Sequence, residues 1–385
     1  MEDVVTPGPE ASGGAPVRSS VVDRDLREIT SRLDTELTAL SGRSLLITGG
    51  AGFLGHYLAQ VPLHWNETSR GERSPIRVTV CDNFMRGMPA WLGDRRGDPH
   101  LEVVQLDVSR GVPTALVDDH AFFIHAASIA SPTYYRKHPL ETMDANVMGL
   151  RTLLDACARR NGRHRPVEGF LHFSSSEIYG NPEPEHIPTP EDYPGRVSCT
   201  GPRACYDESK RYSETLCAII GDVHGLPVTM VRPFNNYGPG LSLSDRRVVA
   251  DFARDILKGR DITLLSDGSP MRTFCYVGDA VVGYYRALVR GRRGEAYNIG
   301  TDGPEVSMGE LAERMTEAAR SLFGYAGQVS HRSSGDPHYL TDNPTRRCPD
   351  LTKARTHLGY EPQVGLEEGL ERTLRWYAET QGANP

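Results

Sequence analysis

The apolar positions of this chain change their period along its length. Leu26, Ile29, Leu33, Leu37 and Leu40 are spaced by three or four, which predicts a helix with one apolar face over 22–40. From Ser44 the pattern turns into short apolar runs: Ser44–Thr48, Arg77–Cys81, Leu101–Leu106, Phe122–His125, Gly169–Ser174 and Pro227–Arg232. Runs of that length are expected of strands buried on both faces, as in a parallel sheet. Periodic segments between them predict helices from Phe53, over Pro139–Arg160 and near Tyr206–Ile220. Alternating strands and helices predict an α/β fold, a Rossmann-type doubly wound parallel sheet. Beyond Tyr237 the pattern is less regular, with helices expected over Val248–Lys258, Met308–Leu322 and Leu366–Thr380.

These patterns divide the chain. Residues 1–20, rich in Pro, Gly, Ser and Ala, are expected to be a disordered tail. An N-terminal helix is expected over 21–42, and the Rossmann domain over 43–236, with 274–296 returning to it. A smaller, mainly C-terminal substrate-binding domain is expected from 237–273 and 297–385.

Composition narrows the class. The 385 residues are 38% hydrophobic and 24% charged, enough for a sizeable core. The net charge of −7 gives no general attraction to nucleic acid or to an anionic membrane. The 7 cysteines are scattered with no CxxC pair, so neither a zinc site nor a disulfide framework is expected, and a cytoplasmic location is. No metal site is predicted. Lysine occurs only at Lys137, Lys210, Lys258 and Lys353, so arginine carries most of the cationic work.

The first strand runs into Thr48-Gly-Gly-Ala-Gly-Phe-Leu-Gly55, in which Gly50-x-Gly52-x-x-Gly55 fits the dinucleotide fingerprint. Glycines permit a tight turn and close approach of a pyrophosphate, while the helix N-terminus presents amides and positive dipole. Candidate cofactor-binding residues here are Gly49, Gly52, Phe53, Leu54 and Gly55. Asp82, followed by Asn83, ends the second strand, where a carboxylate accepts ribose hydroxyls and repels a 2′-phosphate; this favours NAD. The distance from the glycines to Asp82 is long and is assigned to a loop over His64–Ser74. Asp107 and Val108 close the third strand and are expected near the adenine, although Asp107 is also a natural turn cap.

Ser174-Ser-Ser-Glu-Ile-Tyr-Gly180 ends the fifth strand, at the sheet edge where such folds place chemistry. Tyr206 and Lys210 follow at i and i+4, on one helix face. A nearby ammonium is expected to lower the phenol's pKa towards neutrality and make Tyr206 a usable base.

On these motifs the chain resembles the extended short-chain dehydrogenase/reductases, and within them the UDP-glucuronate decarboxylases. The resemblance spans about Arg43 to Thr380. It is carried by TGGAGFLG, CDNF at Cys81–Phe84, HAASIASPTYY at His125–Tyr135, SSSEIYG and GPRACYDESKR at Gly201–Arg211. RPFNNYGP at Arg232–Pro239, DRRVV at Asp245–Val249, MRTFCYV at Met271–Val277, RRCPD at Arg346–Asp350 and LGYEP at Leu358–Pro362 complete it.

The resemblance implies NAD-dependent oxidation at C4 of a UDP-glucuronate, loss of CO2 from the 4-keto acid, protonation at C5 and re-reduction to UDP-xylose. It implies Tyr206 as base, Lys210 as its partner and Ser175 at the 4-OH. Glu177 and Arg272 would handle the carboxylate and proton, with Arg272 as general acid. Ala126 and Ser128 are expected at the cofactor. Tyr135, Ser176, Asn235, Arg247, Tyr276 and Arg347 are expected at the nucleotide-sugar, with Asn235, Arg247 and Arg347 on its diphosphate and Tyr135 at the sugar carboxylate. A homodimer packed through the helices starting near Pro139 and Tyr206 is also implied.

The chain departs from that pattern at two places. Ser175 stands where the decarboxylases usually carry Thr, and Asp144-Ala-Asn146 replaces a Lys-Thr-Asn run, removing a positive charge on the substrate side. Three enzyme alternatives remain: a nucleotide-sugar 4,6-dehydratase, a 4-epimerase, and a decarboxylase releasing some 4-keto pentose. Ser176 stands where dehydratases carry the Asp that expels water, which disfavours the first. A catalytically silent binding protein on the same fold is disfavoured by the intact Ser175, Glu177, Tyr206, Lys210 and Arg272.

Overall fold

Seven strands form one parallel sheet: β1 (Ser44–Thr48), β2 (Arg77–Asp82), β3 (Leu101–Gln105), β4 (Phe122–His125), β5 (Gly169–Phe173), β6 (Val228–Pro233) and β7 (Ala296–Ile299). Their order across the sheet is β7-β6-β5-β4-β1-β2-β3. The order reverses between β1 and β4, and the crevice beyond the strands' carboxyl ends at such a switch point is where doubly wound folds bind ligands. The computed structural model describes residues 19–69, 72–163, 166–334 and 341–381. Of the tail expected over 1–20, only Ser19 and Ser20 fall among them.

Helices cover both faces of the sheet. Helix α1 (Ser20–Arg32) is capped by the Ser19 hydroxyl, which accepts the Val22 N–H at 3.4 Å. Helix α2 (Gly55–Thr68) follows the glycine turn, α3 (Leu150–Asn161) follows a π-helical turn over 145–149, and α4 (Ala204–His224) carries Tyr206 and Lys210. Helix α5 (Val277–Arg290) packs on β5 and β6, and α6 (Leu366–Gln381) closes the chain. One apolar core lies between the sheet and α1, α2, α5 and α6; it includes Leu26, Leu45, Ile47, Tyr57, Val80, Tyr284 and Leu374. The other fills the side covered by α3 and α4, with Leu46, Phe123, Leu153, Phe170 and Leu216. Alternate residues of β1 serve opposite cores, which is why its apolar run is continuous.

Two expectations change. The helix expected over 22–40 is two helices, Ser20–Arg32 and Asp34–Ala39, meeting at Leu33. The loop expected over His64–Ser74 is helical as far as Thr68, with Pro62 inside α2. Proline supplies no N–H to the carbonyl four residues back. That carbonyl, of Leu58, instead accepts the Tyr285 hydroxyl from α5. The helix therefore tolerates Pro62, and its length accounts for the distance from the glycines to Asp82.

A smaller three-stranded sheet stands over the carboxyl edge of the large one. The strand Met271–Arg272 pairs antiparallel with Val306–Ser307 and parallel with Arg346–Arg347. Arg272 and Arg347 are register partners there, so the pairing itself sets two guanidinium groups side by side.

Candidate active site

A cavity of about 920 Å³ opens along the switch point and runs beneath the small sheet. Gly49, Gly52, Phe53, Leu54, Gly55, Asp82, Asn83, Asp107, Val108, Ala126 and Ser128 line one part of it. Tyr135, Ser175, Ser176, Glu177, Tyr206, Lys210, Asn235, Arg247, Arg272 and Arg347 line the rest. The structure thus brings together residues drawn from positions 49 to 347.

At the glycine turn the spacing needs correction. Gly49 has φ +73°, and a Cβ there would lie 2.6 Å from the backbone of Ala127. A Cβ on Gly55 would lie 2.2 Å from the Gly50 carbonyl oxygen, whereas Gly52 meets only the Gly49 carbonyl at 3.2 Å. Gly49, Gly52 and Gly55 therefore form the working set, and Gly50 is kept small by the Val80 side chain. The Asp82 carboxylate accepts the Ala51 N–H at 3.1 Å and the Phe84 N–H at 2.9 Å, which ties the turn to the end of β2. Asp107 caps its own turn, accepting the Ser109 N–H at 3.1 Å, while still lining the cavity. The Ser128 hydroxyl is buried with no protein partner. A glycine cradle open at Gly52, a helix N-terminus, a carboxylate at the end of β2 and an unpaired hydroxyl together fit a dinucleotide.

Ser175 follows β5 in extended backbone and opens a short 3₁₀ turn, its hydroxyl accepting the Glu177 N–H at 3.2 Å. Ser175 also lies close enough to the Tyr206 phenol to lower its pKa. Burial pushes Tyr206 up to about 12, with Ser175 opposing. Burial also brings Lys210 down to about 7. The Lys210 ammonium donates to the Phe173 carbonyl at 2.7 Å, and Nζ lies 5.8 Å from the Tyr206 ring centre. The lowering of the phenol by the ammonium, expected from their spacing, is not seen: burial dominates both groups, and the opposing effects on Tyr206 come from Ser175 and Arg247. Tyr135 stacks on Tyr206, ring centres 5.0 Å apart, and its buried hydroxyl has no protein partner.

The strongest charge arrangement surrounds Glu177. Arg347 holds it in a two-pronged pair, Nη1 to Oε1 at 2.7 Å and Nη2 to Oε2 at 2.5 Å. Arg203 donates to the same Oε2. Burial disfavours the carboxylate, but Arg203 and Arg347 outweigh it and hold Glu177 well below the usual range. Arg272 donates to the carbonyls of Met271 at 2.7 Å and Pro344 at 2.5 Å. Burial, then Arg347, brings Arg272 down to about 9. Three cations therefore meet one paired carboxylate at the cavity wall.

One sequence-predicted residue lies outside the cavity, and another is already paired within it. Arg347, expected on a diphosphate, is engaged by Glu177. Tyr276 does not line the cavity; it is buried behind it, donating to Asp25 of α1 at 2.5 Å. A tyrosine in that motif reads as a ligand only until the N-terminal helix is placed against it. Arg247 lies in the cavity wall, paired with Asp245 at 2.9 Å, and Arg86 binds the same Asp245 at 2.7 Å. Arg86, Asp245, Arg203 and Asp207 are not singled out by the sequence. For the last two a signal is present: positions 203, 206, 207 and 210 share one face of a helix.

Comparison with known proteins agrees with this geometry. Residues 45–300 match the model of the "NAD dependent epimerase/dehydratase family". UDP-glucuronic acid decarboxylase 5 of Arabidopsis thaliana is 36% identical over 330 residues, 86% of this chain and 88% of the relative. UDP-glucuronic acid decarboxylase 1 of Xenopus tropicalis is 35% identical over 335 residues, 87% of this chain and 72% of the relative. Among solved structures, a dTDP-glucose 4,6-dehydratase from Streptomyces venezuelae with NAD bound superposes with TM-score 0.72 at 26% identity, covering 88% of this chain and 98% of that one. UDP-glucuronic acid 4-epimerase from Bacillus cereus, in complex with UDP-glucuronic acid and NAD, gives 0.68 at 25%, covering 86% and 98%. The chain belongs to the NAD-dependent epimerase/dehydratase family.

Proposed function

We propose that this chain decarboxylates UDP-glucuronate to UDP-xylose through a UDP-4-keto intermediate, with NAD bound in the glycine-lined part of the cavity. The observation that carries the reading is the convergence of Arg203, Arg347 and Arg272 on Glu177, beside the Tyr206–Ser175 pair. That surplus of positive charge suits a sugar bearing a carboxylate. The relatives named UDP-glucuronic acid decarboxylase support it.

NAD, held by Gly49, Gly52, Gly55, Asp82 and Ser128, would supply hydride acceptance and return at C4. Tyr206 takes the 4-OH proton while Ser175 holds that oxygen. In the 4-keto acid the carboxylate is β to a ketone, so the C5–CO2 bond breaks with its electrons flowing into the carbonyl. Arg272, beside Glu177, donates a proton to C5 and is recharged from solvent. Tyr206 finally returns its own proton to the C4 oxygen. The cycle consumes one proton and releases one CO2.

A homodimer and a cytoplasmic location are part of the proposal. Leu140 is 71% exposed and Val223 70%. With Met143, Met148, Tyr212 and Ile219 they leave a large apolar strip on two helical segments that pack together, the run over 139–161 and α4. The scattered, unpaired cysteines suit a reducing compartment. No helix among the described residues is long and apolar enough to cross a membrane, and no metal-ligating cluster occurs among them.

The test is incubation of purified protein with UDP-glucuronate and NAD, followed by assay of CO2 and UDP-pentose. Both products are expected. Turnover of a hexose nucleotide without CO2 would refute the reading. Tyr206→Phe is expected to lower kcat by about 10²–10⁴-fold with NAD binding retained; normal turnover would remove Tyr206 from the base role.

A further inference from the structure

Asp207 lies one turn beyond Arg203 on α4 and is 4% exposed. Its Oδ2 is 3.6 Å from Arg203 Nε, and its Oδ1 is buried with no partner. It does not line the cavity; Arg203 does. The wall therefore has an arginine with one carboxylate in front, Glu177, and another behind.

We propose that Asp207 is a positioning and specificity-determining residue, whose charge offsets Arg203 and so decides how strongly the cavity draws a substrate carrying a carboxylate. The inference rests on the proposed uronate substrate. The groups around Asp207 include the Cys205 thiol on its own helix, kept neutral by a pKa that burial raises. Arg203 comes from its own helix, Glu177 from the turn after β5, and Arg347 and Arg272 from the small sheet. The Tyr135 and Tyr206 phenols stay neutral, both held above their ordinary range by burial.

With Asp207 protonated, three arginines face one carboxylate and two positive charges are in excess. With Asp207 ionised, only one is. Burial, then the neighbouring Glu177, pushes Asp207 up to about 7, so the change of state falls near neutrality. The unpartnered Oδ1 fits a group that spends part of its time as the acid. Binding a second carboxylate in front of Arg203 favours the protonated form, and by linkage the protonated form favours binding. A charge at this range changes such an ionisation equilibrium by about tenfold, and linkage carries the same factor into affinity.

The experiment measures Kd for UDP-glucuronate and for UDP-glucose between pH 6 and pH 8.5, with NAD present and in a Tyr206→Phe background that stops turnover. The two ligands share the nucleotide and differ in the carboxylate. The preference for UDP-glucuronate is expected to fall about tenfold as pH rises through that range. In Asp207→Asn it should be high and flat, and Asp207→Glu should restore the slope. A flat preference in the Tyr206→Phe parent, or an unchanged slope in Asp207→Asn, overturns the proposal. The parent measurement stands even where Asp207→Asn fails to fold. Absence of CO2 from the wild-type protein would refute the decarboxylase reading alone, because the binding preference is measured without turnover.

Discussion

Two carboxylates in this molecule, one buried and one at a cavity wall, are each held by arginine, and they do opposite things. Asp25, on α1, accepts the hydroxyls of Tyr57 and Tyr276 at 2.5 Å each and Arg372 Nη1 at 2.7 Å. Glu177, at the cavity wall, is held by Arg347 and Arg203 with Arg272 nearby. Around Asp25 the donors are mostly neutral, and Arg372 is shared with Glu28 and Glu368. Burial wins there, and the Asp25 pKa is raised. Around Glu177 positive charge is in excess, and the pKa is lowered. The first cluster is closed, tying α1 to α2, to the start of α5 and to α6. The second has cations left over and opens on a cavity. Unspent charge facing a cavity separates a site from a structural tie more sharply than burial does.

The largest expected effect tests the closed cluster. Asp25→Ala leaves Arg372 and two tyrosine hydroxyls without their shared acceptor, where water cannot easily follow. Removing one partner from a buried pair costs about 3–5 kcal/mol. Urea unfolding of Asp25→Ala should show a loss of that size, while kcat per folded molecule stays near wild type. A stable variant with lowered kcat would place Asp25 in the site and erase the distinction.

Next comes the open cluster. Glu177→Gln keeps the shape and removes the charge, so Arg347 and Arg203 lose their anion. The cavity admits water and counter-ions, which softens the loss of stability to about 1 kcal/mol. Activity should suffer more, by about 100-fold in kcat, the lower end for a group that assists proton transfer. Steady-state kinetics and urea unfolding on the same preparation check the pair of outcomes. A variant that unfolds readily but keeps its kcat would make Glu177 a structural tie like Asp25.

The contrast also explains what the sequence could and could not reveal. Strands β1, β2, β4 and β5 were legible to within a residue because each is a short, mostly buried apolar run, while β3, an exposed edge strand, still showed through its Leu101, Val103 and Val104. The Tyr206–Lys210 face was legible because helical spacing is local. Glu177 and Arg347 are 170 positions apart, and only the register of Arg346–Arg347 beside Met271–Arg272 brings them together. Tyr276 was misplaced for the same reason: its partner Asp25 lies 251 positions away. Nothing in the sequence shows that a helix continues past Pro62 to Thr68, because its compensation, the Tyr285 hydroxyl on the Leu58 carbonyl, comes from a distant helix.

The smallest effect is the most discriminating, because the two carboxylates should differ in sign. Asp25 has a folded pKa above its ordinary 3.8, so the folded protein holds that proton more readily than the unfolded chain. Its contribution is fully present below pH 3.8 and is lost as pH rises through the raised folded value. Glu177 has a folded pKa below its ordinary 4.5, so its contribution is present above pH 4.5 and is lost as pH falls towards the depressed value. A tenfold difference in proton affinity between folded and unfolded states is worth about 1.4 kcal/mol. Stability of Asp25→Asn and Glu177→Gln relative to wild type, measured by urea unfolding from pH 3.5 to pH 6.5, should therefore run in opposite directions. The cost of Asp25→Asn should shrink as pH rises, and the cost of Glu177→Gln should grow. Parallel curves would mean that the arginines around Glu177 leave no more charge unspent than Arg372 does around Asp25.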